Sequence, residues 1–137
     1  MKEINLYVRG VSKNVMYEPY RIGIWVAILE YKGRIKKLGK RVMKNANSVE
    51  MIITGLIEAI KLLKEPCIIN VYTHTLYFQR NKVARKNNDF SFRAVGTYQE
   101  LLEELDAELK KGNHILNTII SGKYQQELAK EIKKLKT

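Results

Sequence analysis

Residues 3 to 8 alternate apolar and polar positions, with Ile4, Leu6 and Val8 set against Asn5, Tyr7 and Arg9. That is the period of a strand with one buried face. Gly10 closes the segment, and Val11 to Pro19 reads as a loop. From Tyr20 to Tyr31 both sets of alternating positions are apolar (Ile22, Ile24, Val26, Ile28; Trp25, Ala27, Leu29), which predicts a central strand covered on two sides. Lys32-Gly33 makes a two-residue turn and Arg34 to Met43 returns as a basic strand. Strands joined so closely must run antiparallel.

The period then changes. Asn47 followed three residues later by Glu50 has the spacing of a capping box, and Ile52, Ile53, Leu56, Ala59, Ile60 and Leu63 recur at helical intervals until Pro66. Cys67 to Phe78 is rich in β-formers, and a helix between two strands predicts a right-handed parallel crossover. Residues 81 to 95 are polar and basic, a long loop or a short helix. Thr97 and Glu100 open a second helix to about Lys111, with Leu101, Leu102, Leu105 and Leu109 inside and Gly112 at its end. His114 to Ile120 is the last strand, and Tyr124, Leu128, Ile132 and Leu135 line one face of a C-terminal helix. The order β-β-β-α-β-α-β-α predicts an α/β fold: a mixed five-stranded sheet, its first three strands antiparallel, flanked by helices on both faces. With 137 residues and no internal linker, one domain over residues 1–137 is expected.

Charge changes this picture more than composition does. The formal net charge is +11, and it is clustered. Residues 31 to 44 hold Lys32, Arg34, Lys36, Lys37, Lys40, Arg41 and Lys44 with no acid; residues 80 to 93 add Arg80, Lys82, Arg85, Lys86 and Arg93 against Asp89 alone. Like charges so close together repel, and a polyanion relieves that repulsion. Lys and Arg against phosphates supply most sequence-independent affinity for nucleic acid, so nucleic acid is the expected partner. A membrane is not, because no stretch approaches the roughly eighteen apolar residues of a span and the basic residues lie on strands and loops. Cys67 is the only cysteine and sits in an apolar run, as a buried, inert thiol would. The N-terminus turns straight into a strand pattern with no signal peptide, and a reducing, cytoplasmic setting is expected.

Several local motifs resemble ribonuclease H, and they occur in that family's order. Tyr7-Val8-Arg9-Gly10 stands where the family ends its opening strand in a Tyr-x-Asp-Gly pattern. Ala27-Ile28-Leu29-Glu30-Tyr31-Lys32-Gly33-Arg34 is similar to its hairpin. Asn45-Ala46-Asn47-Ser48-Val49-Glu50 resembles its helix start, Thr73-His74-Thr75-Leu76-Tyr77-Phe78 its Thr-Asp-Ser-x-Tyr-Val strand, and Gln126-Glu127-Leu128-Ala129 its Asp-Glu-Leu-Ala helix. The resemblance spans nearly the whole chain. It implies metal-binding carboxylates at positions 9, 50, 74 and 126, where this sequence has Arg9, Glu50, His74 and Gln126. The family's flexible histidine loop before the last helix is cut to Gly122-Lys123.

Two-metal phosphodiester hydrolysis needs a pair of divalent cations about 4 Å apart, and hard cations such as Mg²⁺ want carboxylate oxygens and water. Four carboxylates would bring a formal charge of −4; one Arg, one Glu, a neutral His and a Gln bring zero. A guanidinium does not lose its proton in a protein, so Arg9 repels either metal. The expectation is a catalytically degenerate chain, with no cofactor, that binds an RNA duplex or RNA/DNA hybrid by shape and phosphate contacts. Glu50 has a structural use in the capping box, and His74 one as a hydrogen-bonded strand residue. Arg9 and His74 could instead hold a phosphate in the former metal cleft, or Arg9 could pair with Glu50 and fill it. By the family's topology Arg80, Lys82, Arg85 and Lys86 would rim that cleft, while Lys36, Lys37, Lys40 and Arg41 would guard a sheet edge. Two alternatives stand beside this reading: an active nuclease using Mg²⁺ or Mn²⁺ with ligands such as Asp89 or Glu127, and a module that docks a protein.

Overall fold

The computed structural model describes residues 1–14, 21–43, 48–73 and 97–136. Its elements are β1 (Lys2–Asn14), β2 (Arg21–Tyr31), β3 (Arg34–Met43), α1 (Ser48–Ile60), β4 (Cys67–Thr73), α2 (Thr97–Gly112), β5 (Ile115–Ile120) and α3 (Gln125–Lys136). The strands form one five-stranded sheet in the order β3-β2-β1-β4-β5. β1, β2 and β3 are antiparallel neighbours, whereas β4 runs parallel to both β1 and β5. The mixed sheet and its three antiparallel leading strands are those the residue pattern predicts.

Local chemistry explains the joints. Lys32 and Gly33 both take positive φ (49° and 80°), the conformation whose twist suits a two-residue hairpin. At the end of α2, Asn113 adopts φ 55°, while the N–H of Asn113 bonds to the Lys110 carbonyl and that of His114 to the Leu109 carbonyl. This pair of bonds satisfies carbonyls that the helix leaves open. Gly112 is needed just before it, since a Cβ there would collide with the His114 imidazole.

Two apolar layers sandwich the sheet. On one face α1 and α2 pack through Met51, Ile53, Leu56, Ala59, Ile60, Leu102, Leu105 and Leu109 onto Leu6, Val8, Ala27, Ile69 and Val71. On the other, Leu128 and Ile132 of α3 cover Tyr7, Ile24, Val26 and Ile28. Each fully buried Leu, Ile, Val or Met among them contributes about 1.5–3 kcal/mol by leaving water. β1 differs from expectation in length: it continues through residues 11–14, which pair with 21–24 of β2, so the segment read as a loop from Val11 begins after Asn14. Ser12, Lys13 and Asn14 carry no apolar alternation, and the backbone ladder to β2 extends the strand regardless.

Candidate functional site

Two of the residues singled out above, Arg9 and Glu50, lie where β1 meets α3 and α1. Glycine at position 10 makes the meeting possible. A Cβ on Gly10 would stand 2.7 Å from the Ile52 nitrogen and 2.8 Å from the Ser48 carbonyl oxygen, so the first turn of α1 rests directly on the β1 backbone. That contact places Glu50, 8% exposed, in the first turn of the helix beside the strand. Asn47, its expected capping partner, lies outside the described residues.

Arg9 alternates to the opposite face from Gly10 and meets α3. Its Nη1 donates to the backbone carbonyl oxygen of Gln125 at 3.5 Å. The side-chain nitrogen and oxygen of Gln125 are buried without a hydrogen-bond partner among the described residues, whereas Gln126 is exposed. The helical spacing of Leu128 and Ile132 carries the signal for this: Gln125, three residues before Leu128, shares their inward face. His74 follows the last described residue of β4, the buried Thr73. It lies outside the described residues, as do Arg80, Lys82, Arg85, Lys86 and Asp89. Glu127 is exposed on α3.

A polar network fixes where α3 begins. The Glu30 carboxylate on β2 accepts hydrogen bonds from Tyr7 Oη (2.8 Å), Asn5 Nδ2 (3.2 Å) and Tyr124 Oη (3.1 Å). The Tyr7 bond, with those from Asn5 and Tyr124, holds Glu30 below its ordinary carboxylate pKa despite partial desolvation. Burial, and then the same bond, pushes the Tyr7 phenol far upward. Tyr7 stacks on Tyr72 at 4.8 Å and meets Tyr124 edge-on at 4.5 Å. Tyr124 itself takes φ 65° immediately before α3, so its anchored ring sets the position at which Gln125 faces Arg9.

Away from this end, Cys67 is buried and its thiol pKa is raised, burial being the first cause. His114 Nδ1 accepts the Cys67 backbone N–H at 3.1 Å, and burial lowers the imidazole pKa. The second histidine is thereby engaged in joining the starts of β4 and β5.

Arg9 and Gln125 are not donors that a hard cation favours: a permanent guanidinium stands at the β1 position and an amide with a backbone carbonyl at the first residue of α3, while the carboxylate in that first turn, Glu127, is exposed. Among the described residues no group of three or more His, Cys, Asp or Glu is arranged to hold a metal.

The sheet order and the three helices match solved ribonuclease H-like structures. A type 1 enzyme described as LC9-RNase H1 superimposes with a TM-score of 0.64 at 14% identity, over 96% of this chain and 70% of that one. A foamy viral protease-reverse transcriptase solved in complex with double-stranded DNA superimposes with a TM-score of 0.65 at 11% identity, over 93% and 88% of the two chains. No family model matches. In sequence, the ribonuclease H of Caldicellulosiruptor saccharolyticus is 38% identical over 117 residues, 77% of each chain. The chain belongs to the ribonuclease H family.

Proposed function

We propose that this protein binds nucleic acid, an RNA duplex or RNA/DNA hybrid foremost, without hydrolysing it. One observation supports the reading: Arg9, which the sequence motif aligns with the family's first metal-ligand position, directs its guanidinium to the start of α3. A fixed positive charge there favours a phosphate over a cation, and a guanidinium–phosphate contact is among the stronger charge-assisted hydrogen bonds. The net charge of +11 supplies the long-range attraction, and a viral protease-reverse transcriptase of like fold has been solved in complex with duplex DNA. The degenerate positions are Arg9, Glu50, His74 and Gln126, and the nucleic-acid contacts are Arg9, His74, Arg80, Lys82, Arg85 and Lys86.

The test is a filter-binding series with an RNA/DNA hybrid, an RNA duplex, a DNA duplex and single strands across a range of salt. Binding of RNA-containing duplexes that weakens steeply as salt rises supports the reading. Absence of binding to every duplex contradicts it. Binding that is indifferent to salt points to a protein partner instead.

A further inference from the structure

β3 and α3 together carry nine basic side chains and two acidic ones, a net +7 of the chain's +11. Lysines on an edge strand have a simple use, since they discourage pairing with another sheet. That use accounts for β3, the outer strand. It does not account for Lys130, Lys133 and Lys134, which stand exposed on the outer face of a helix. The fold nevertheless joins the two sets. The side chain of Leu135 lies 3.0 Å from where a Cβ on Gly39 would stand, so α3 packs close against β3. Arg41 Nη1 donates to the Lys136 carbonyl oxygen at 3.4 Å. Lys37 pairs with Glu131 at 3.5 Å, and Lys134 with the same carboxylate at 3.3 Å. Between them runs a groove of about 610 Å³ lined by Lys37, Lys130, Lys133 and Lys134 with Glu127 and Glu131.

The acids do not neutralise this groove. Glu131 is already shared by two lysines, and the Lys134 bond, with Lys37 adding to it, lowers its pKa. Lys130 and Lys133 face solvent in the same groove as Lys37 and Lys134, four lysines against Glu127 and Glu131. The groove also leads to the candidate site. Gln125, against which Arg9 is bonded, begins α3, and Lys133 follows eight residues later, about 12 Å along the helix axis. Arg41 pairs across β2 with Ile24, which pairs with Val11, two residues beyond Arg9 on β1. Arg41 therefore lies two strand spacings, about 10 Å, from the β1 end of the site.

We propose that α3 and β3 form a second phosphate-binding surface, continuous with the Arg9 end of the sheet, along which a nucleic-acid duplex lies. This rests on the reading of the protein as a nucleic-acid binder and extends it to a face outside the cleft. A duplex presents one phosphate charge per about 1.7 Å of axis, so a track some 10–12 Å long meets several phosphates at once. A membrane fits this face poorly. The apolar side of α3 (Leu128, Ile132, Leu135) is spent on the sheet, which leaves no broad apolar strip to enter lipid.

The experiment compares two variants of equal charge loss against an RNA/DNA hybrid of about 30 base pairs, roughly three helical turns. One is Lys37→Gln with Lys130→Gln and Lys133→Gln. The other is Lys61→Gln with Lys64→Gln and Lys111→Gln, around the cleft at the opposite end of the sheet. The first variant should bind at least tenfold more weakly, and its log–log salt slope should flatten by about 0.9 for each lost contact. The second should change little. Equal losses in both would show that only total charge matters and would overturn the surface. If the unaltered protein binds no duplex, the nucleic-acid reading falls and this surface with it. If it binds vesicles containing phosphatidylserine through the same lysines and ignores duplexes, the face serves lipid and the proposal is wrong.

Discussion

Arg9 on β1 donates a hydrogen bond to the backbone carbonyl of Gln125, the first residue of α3, at 3.5 Å. A positive side chain thus bridges the strand and the helix at the place where relatives of the family are expected to gather carboxylates around metal. On the proposed function the four family positions carry a formal charge of zero in place of −4, and that difference, with the contacts around it, has measurable consequences.

Restoring the family's charge should restore a preference for cations. Arg9→Asp, His74→Asp and Gln126→Asp, together with the native Glu50, would bring the four positions from zero to −4. Mg²⁺ should then raise the melting temperature of the triple variant, by the linkage between ligand binding and folding, and leave the unaltered protein unmoved. Equal Mg²⁺ responses in both proteins would show that the native residues already hold the metal.

Gly10 is the hinge of the construction. A methyl group there meets backbone atoms of α1 at under 3 Å, and backbone yields less readily than a side-chain tip. Gly10→Ala should lower stability by about 2–3 kcal/mol, in the range of overpacked cores. The urea midpoint measures it, and an unchanged midpoint would mean that α1 does not rest on β1.

Acid should weaken the Glu30 network. The folded pKa of Glu30 lies below its ordinary value of 4.5, so the folded state favours the ionised form. Its contribution is therefore present above pH 4.5 and is lost as pH falls through the lowered folded pKa. Glu30→Gln should be less stable than the native chain at neutral pH, with the two denaturant midpoints converging in acid. Parallel pH curves would show that the charge on Glu30 is not what the three donors bind.

His114 should give a second, separate acid effect. Its pKa is below the ordinary 6.5, and Nδ1 must be unprotonated to accept the Cys67 N–H. Stability from this group is fully present above pH 6.5 and falls as pH drops through the lowered folded value. His114→Ala should cost about 1 kcal/mol at neutral pH, as for a lost hydrogen bond, and should flatten the stability curve just below pH 6.5. A curve of unchanged shape would remove the imidazole as its cause.

Much of this was legible in the residues. Alternation at Ile4, Leu6 and Val8, the doubly apolar Ile22–Leu29 segment and the Lys32-Gly33 turn define three antiparallel strands, because burial and turn geometry act locally. The end of β1 was not legible: Ser12 to Asn14 are held by pairing with β2, a non-local cause that leaves no mark on their own pattern. Near the site, the Gln126-Glu127-Leu128-Ala129 motif draws attention to Gln126, yet Gln125 meets Arg9, because Tyr124 tied to Glu30 fixes how the helix enters. The convergence of Lys37 with Lys130, Lys133 and Lys134 was invisible for a similar reason. It depends on α3 crossing the sheet to β3, and on Gly39 letting it come close.

The proposed activity is to grip an RNA-containing duplex and leave it intact. The most direct measurement incubates the purified protein with an end-labelled RNA/DNA hybrid in Mg²⁺ and, separately, in Mn²⁺, and reads bound fraction and strand length from the same samples. A retarded, full-length hybrid is expected in both metals, with binding that falls as salt rises. Shortened RNA strands that appear with the native protein and vanish with Glu50→Gln would contradict it.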